Sequence, residues 1–244
     1  MAEPAAQLPA VQHLVVRYAK RGKMRFASHR DVARVFERGV RRAGLPIAYS
    51  AGFTPHPRIS YAGGAPTGVA SEAEYLRLAL ASRQPASQVR ERLNQTLPDG
   101  IDVIDVAEDA DGLTALEASQ WRVVVPGVAP VAAERAVAGF LALSEAPVER
   151  LTDKGVRRLD ARSAVVTLDV LGPADPHGGP RASVTGVQDC AILRMVVLHT
   201  APAVRPEDIL TALRGQEGIV PSSPPMTTRL AQGPRALLAG QGAS

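Results

Sequence analysis

Polar and apolar positions alternate weakly from 13 to 19. This period of two predicts a strand with Leu14, Val16 and Tyr18, or their neighbours, facing inward. Lys20-Arg21-Gly22-Lys23 breaks the alternation and reads as a turn, after which 24–27 re-enters the sheet. A helical period then takes over. Val32, Val35, Phe36, Val40 and Ala43 fall on one face. Ser28 followed by Asp31 is a capping-box pattern at its start, and Gly44 supplies the left-handed residue that ends it. The opposite face carries Arg30, Arg34, Arg38 and Arg42, with Arg41 beside them, so a ridge of guanidinium groups runs the length of the helix.

Residues 45–50 read as the next strand. Gly52-Phe53-Thr54-Pro55-His56-Pro57-Arg58 cannot lie in a central strand, because two prolines remove ladder donors; it reads as a stiff, extended loop. Residues 59–62 resume an extended run, and the glycines of 63–68 mark a second special loop. Residues 74–80 alternate, 85–97 repeat apolar positions at helical spacing, and 101–106 form a strand with Ile101, Val103 and Asp105 on one face. Strand–helix–strand–strand–helix–strand is the split βαβ order of ferredoxin-like domains. Residues 107–118 read as an acidic linker, after which the order recurs with additional strands. Strands are expected at 121–125, 148–152, 156–161, 165–171, 190–199 and 226–230, and helices at 131–143 and 205–213. A Gly/Pro-rich loop falls at 173–181, and 1–11 and the last dozen residues read as loose tails. The expected fold is therefore α+β: two ferredoxin-like domains in tandem with mostly antiparallel sheets. The first, basic domain spans 13–107, and a second domain with extra strands spans 119–231.

Composition narrows the function. With 244 residues and 45% apolar residues the chain can bury a substantial core, and it has no apolar run of the length that crosses a membrane. A single cysteine, Cys190, excludes a disulfide framework and a self-contained iron–sulfur or zinc-thiolate site. The N-terminus has no basic stretch followed by an apolar core, so a cytoplasmic protein is expected. Charge is segregated: 13–61 hold eleven Lys or Arg against two acids, Asp31 and Glu37. A basic segment of this kind suits an anionic partner, most often nucleic acid. Six of the aromatic residues, Tyr18, Phe26, Phe36, Tyr49, Phe53 and Tyr61, lie in the same segment, where some could stack on bases.

Other chemistries find less support. No phosphate-loop motif is present, and the glycines at 63, 64 and 68 do not open a helix. No cofactor is expected. A metal would have to draw on His29, His56 and a carboxylate such as Asp31 or Glu74, which share no ligand spacing, so no metal site is read. His29 and His56 remain candidates for acid–base catalysis on RNA, because histidine titrates near neutrality.

Three stretches carry a family resemblance. They are Arg25-Phe26-Ala27-Ser28-His29-Arg30-Asp31, 41–50 ending in Leu45-Pro46-Ile47-Ala48-Tyr49-Ser50, and 52–60 around Pro55-His56-Pro57-Arg58. With Gly68-Val69-Ala70-Ser71-Glu72-Ala73-Glu74-Tyr75-Leu76, they resemble the bacterial radical-SAM-linked proteins, a domain family of unknown function. Such domains occur fused to radical SAM enzymes or as free-standing chains. The resemblance implies a radical SAM enzyme as partner, acting in trans. Arg77 departs from the acidic residue usual after the Tyr-Leu pair.

Together these readings lead to one expectation. The chain is a non-catalytic accessory protein of a radical SAM enzyme that binds RNA, either tRNA or rRNA. Lys23, Arg25, Arg34, Arg38, Arg41, Arg42, His56 and Arg58 would form the contact surface, with no membrane involved. The alternatives are a metal-independent RNA-processing enzyme using His29 or His56, and a protein-docking module for the radical SAM partner.

Overall fold

The computed structural model describes residues 9–51, 53–109, 113, 116–152, 155–172, 190–215 and 219–240. The loop expected at 173–181 lies outside them. The chain divides into two compact units, Met1–Ala115 and Leu116–Ser244. Among the described residues it is a mixed structure of antiparallel sheet and five α-helices.

In the first unit, β1 (Gln12–Lys20) is followed by α1 (His29–Arg42), β2 (Ile59–Ala62), β3 (Ala70–Leu80), α2 (Ala86–Thr96) and β4 (Ile101–Glu108). β1 pairs with both β3 and β4, and β2 pairs with β3, every pairing antiparallel, so the order within the unit is β4-β1-β3-β2. α1 thus links two mutually parallel strands, β1 and β2, with β3 between them. Its core gathers Leu14, Val16 and Tyr18 from β1, Phe36 and Val40 from α1, Leu76, Leu78 and Leu80 from β3, and Leu93 from α2. Tyr18 meets Phe36 edge-on with ring centroids 4.7 Å apart. Gly39 lets α1 approach α2 closely: a Cβ there would sit 2.9 Å from Leu97 Cδ2.

Local structure departs from expectation at three places here. Residues 24–27 do not re-enter the sheet; Gly22–Phe26 form a 3-10 helix, begun by Gly22 at φ +52°. Residues 45–50 form no strand, only single bridges from Ile47 to Leu80 and from Tyr49 to Pro57. Asp105 does not share the face of Ile101 and Val103. The register of β1 against β4 slips between Arg17 and Tyr18, which turns Asp105 outward and buries Val106.

The second unit holds β5 (Ala118–Pro126), α3 (Pro130–Ala142), the hairpin β6 (Pro147–Thr152) and β7 (Gly155–Asp160), β8 (Val165–Leu171), β9 (Cys190–Leu198), α4 (Pro206–Arg214) and β10 (Met226–Gly233). Setting the hairpin aside, β10, β5, β9 and β8 pair in that order, all antiparallel. The chain then continues into α5 (Arg235–Gly240), with Leu238 buried against Ala118 and Val196. This stretch was expected to be loose; its one well-placed leucine docks it instead. Cys190 opens β9 and is half-buried. No helix among the described residues is long and apolar enough to cross a membrane.

Candidate nucleic-acid interface

α1 begins as its residues dictate. Ser28 accepts the Asp31 N–H at 3.3 Å, while the Asp31 carboxylate accepts the Ser28 N–H at 3.1 Å and its hydroxyl at 2.6 Å. These bonds, with Arg34 nearby, hold the Asp31 carboxyl below the usual carboxylate range. Gly44, at φ +60°, follows the helix end. Burying Val32, Phe36, Gly39 and Val40 fixes which face looks out. At about 100° per residue, Arg30, Arg34, Arg38, Arg41 and Arg42 fall within an arc of about 120° opposite that buried face. All five are exposed, and none forms an ion pair among the described residues. Arg38 and Arg42 also wall a shallow groove completed by Thr96, Leu97 and Pro98.

Other bases of the same segment are committed internally. Arg21 pairs with Glu72 and, at 2.9 Å, with Asp102. Arg17 donates to the Glu72 carbonyl at 3.0 Å. Lys20 is buried and donates to the Ala65 carbonyl at 3.1 Å. Net charge in the sequence therefore overstates what solvent meets, and the α1 arginines make up most of what remains outward, with Lys23 and Arg58.

The N-terminal end of α1 holds Lys23, exposed, and Arg25, half-buried. The Arg25 guanidinium lies 4.6 Å from the Phe26 ring centroid, its Nε is shielded from solvent without a hydrogen-bond partner, and its carbonyl accepts the Gly68 N–H. His29 stands beside them. Its ring meets that of Tyr61 at 5.3 Å, and a Cβ on Gly64 would lie 3.3 Å from it. Tyr61 also packs on Phe36 and donates weakly to the Ala33 carbonyl, and burial, with Glu37 nearby, pushes its phenol above the ordinary range. Beneath, the buried Glu74 accepts the Ala65 N–H at 3.1 Å. Lys20 and Glu74 thus clamp the 63–68 loop against the start of α1. Sequence reasoning did not find this clamp, since nothing local marks Lys20 as a buried residue.

The Pro-His-Pro loop lies at the other end. It is closed at its neck, where Ser50 N–H donates to the His56 carbonyl and His56 N–H donates to Ser50 Oγ. Pro57 is buried and His56 exposed. Ile59 pairs with Leu78 and Ala62 with Tyr75, so this loop sits at the β2 end remote from His29. The two histidines are separated by an extended run on the order of 15 Å, and they do not form an acid–base pair. Arg58 precedes Ile59, which packs with Tyr61 into the core beneath α1. Pleat alternation directs Arg58 to the opposite face of the sheet. Of the expected contact residues, Arg34, Arg38, Arg41 and Arg42 lie on the outer arc of α1 and Lys23 and Arg25 just before its start, whereas His56 and Arg58 lie at the far end of β2, with the buried Pro57 between them.

A second polar cluster, which sequence reasoning missed, lies within the second unit. Ser119 Oγ is 2.7 Å from His199 Nε2, and His199 Nδ1 is 2.6 Å from the Leu116 carbonyl. The carbonyl fixes Nδ1 as the protonated nitrogen, so Nε2 accepts the serine hydroxyl. Desolvation lowers the imidazole's proton affinity, the Leu116 bond opposes this, and the charge of Arg229 adds to the lowering. Ser119 is fully buried, which closes it to a substrate. Among the described residues no group of three or more His, Cys, Asp or Glu side chains is placed to hold a metal ion.

Comparison with curated proteins returns no match. A family model described as an uncharacterized protein conserved in bacteria (DUF2344) matches residues 13–206, which include the first unit's regular structure except Gln12, and α1 with its arginines. The description assigns the family no activity and no radical SAM partner. Most of this sequence is thus accounted for by one bacterial family, and the chain belongs to DUF2344.

Proposed function

We propose that this protein binds RNA through the arginine face of α1 and performs no chemistry of its own. One observation carries the reading: five exposed guanidinium groups share the outer arc of one capped helix, outside every described ion pair, while Arg17, Lys20 and Arg21 nearby are spent on internal partners. Guanidinium forks suit phosphate oxygens, and a row of them along a rigid helix tracks a sugar–phosphate backbone without reading bases. The scaffold in this reading is a pair of ferredoxin-like domains, supported by the matching order of four antiparallel strands in each unit. Such domains host many functions, so the fold alone does not select RNA.

The resemblance to radical-SAM-linked proteins supplies a context. A free-standing chain would hold tRNA or rRNA for a radical SAM enzyme acting in trans, in the cytoplasm. An enzymatic alternative would rest on His29 or His56 acting alone, since the two stand at opposite ends of β2. The test is charge reversal on the face. Arg38→Glu with Arg42→Glu in the full chain should weaken RNA binding by more than about tenfold and leave the circular dichroism spectrum unchanged. Arg157→Glu, on an exposed strand of the other unit, should leave affinity as it was. Equal affinity of the double variant and the native chain contradicts the reading. Capture of a radical SAM enzyme by the native chain after nuclease treatment, lost in the double variant, would favour the protein-docking alternative.

A further inference from the structure

Three of the six aromatic residues in the basic segment are committed to the core: Tyr18, Phe36 and Tyr61 pack on one another beneath α1. The other three are not. Phe26 is 58% exposed, Tyr49 is 37% exposed, and Phe53 is fully exposed. Their placement follows the helix. Phe26 closes the 3-10 helix just before Ser28 caps α1. Tyr49 and Phe53 belong to the segment that follows the C-terminal end of α1, with Tyr49 at the neck of the Pro-His-Pro loop opposite Pro57 and Phe53 beyond it. β1 and β3 confirm that these are opposite ends of the unit, since Lys20 pairs with Ser71 and Gln12 with Leu80, the residue bridged to Ile47.

Each end of the unit that α1 runs between therefore carries an exposed aromatic side chain. The fourteen residues of α1 between these two ends span about 21 Å, the length of several nucleotides. Exposed phenylalanine has no polar atom to present to water, and a flat ring beside cations is a stacking surface for any base. At Phe26 one ring face is covered by the Arg25 guanidinium, which is itself without a hydrogen-bond partner at Nε, and the exposed remainder faces solvent.

We infer that the RNA taken by this face is unpaired: a single strand lies along α1 with its phosphates on Arg30, Arg34, Arg38 and Arg41, and splayed bases stack on Phe26 and Phe53 at its two ends. A duplex keeps its bases stacked inside and offers these rings nothing beyond its backbone. The inference rests on the RNA reading above and adds the strandedness of the ligand.

The experiment uses the full-length protein and a fluorescently labelled 16-nucleotide RNA of unstructured mixed sequence. Anisotropy is followed for the strand alone and for the strand annealed to its complement. The single strand should bind more tightly. Phe26→Ala and Phe53→Ala, both at exposed positions, should each weaken single-strand binding by at least about fivefold and leave duplex binding unchanged. If strand and duplex bind equally and neither substitution matters, while Arg38→Glu with Arg42→Glu still abolishes binding, the stacking inference fails and the phosphate reading stands. If neither RNA form binds the native chain, both fail together.

Discussion

His199 shows how one residue's surroundings set its chemistry. Its ring is tied between the Ser119 hydroxyl and the Leu116 carbonyl, and desolvation favours the neutral form. A histidine whose proton affinity is lower in the folded state takes up fewer protons than the unfolded chain. Stability is therefore retained above the unfolded value of about 6.5 and lost as pH falls below it. Urea midpoints at pH 8 and pH 5.5 should drop on acidification for the native chain and drop less for His199→Gln. An equal drop in both would show that the ring contributes nothing to the pH dependence. The same scale explains which arginines matter. Arg21 and Arg38 are chemically identical, yet one is held by Glu72 and Asp102 and the other faces water.

At the scale of elements, α1 is the piece whose sequence and structure agree most closely. Its cap, its end at Gly44 and its buried Val32, Phe36 and Val40 all follow from residue spacing. The reason is that helix signals are local: a capping box and a 3.6-residue period need no knowledge of distant residues. What was not legible depended on partners far away in sequence. Asp105 was placed inward by simple alternation, and the slip in pairing with β1 turned it out. Residues 45–50 have strand-like composition but find only single bridges. Gly39 reads as a weak helix residue, and only the packed structure shows that Leu97 fills the space beside it. Gly39→Leu should force α1 from α2 and cost about 1–3 kcal/mol, as overpacking does. Chemical denaturation measures this directly, and an unchanged midpoint would mean the helices do not meet as closely as described.

For the whole molecule, the decisive feature is the separation of charge. The net charge of +4 gives little hint of it. The basic segment was legible in the sequence, as was the ridge along one helix. The sequence did not show which bases are consumed inside the fold, because Lys20, Arg17 and Arg21 look no different from the α1 arginines until Ala65, Glu72 and Asp102 are in place. Nor did it separate Arg58 from the others, although its parity with Ile59 and Tyr61 contained that information. The exposed aromatics emerged by the same elimination, once Tyr18, Phe36 and Tyr61 were found in the core. The proposed binding stands on one electrostatic claim: RNA gives up condensed counterions as the α1 arginines take its phosphates. Affinity of the full-length chain for an unstructured RNA, measured from 50 to 200 mM salt, tests it most directly. Four arginine–phosphate contacts predict that log K falls against log salt with a slope of about −3; a slope indistinguishable from zero would contradict the account.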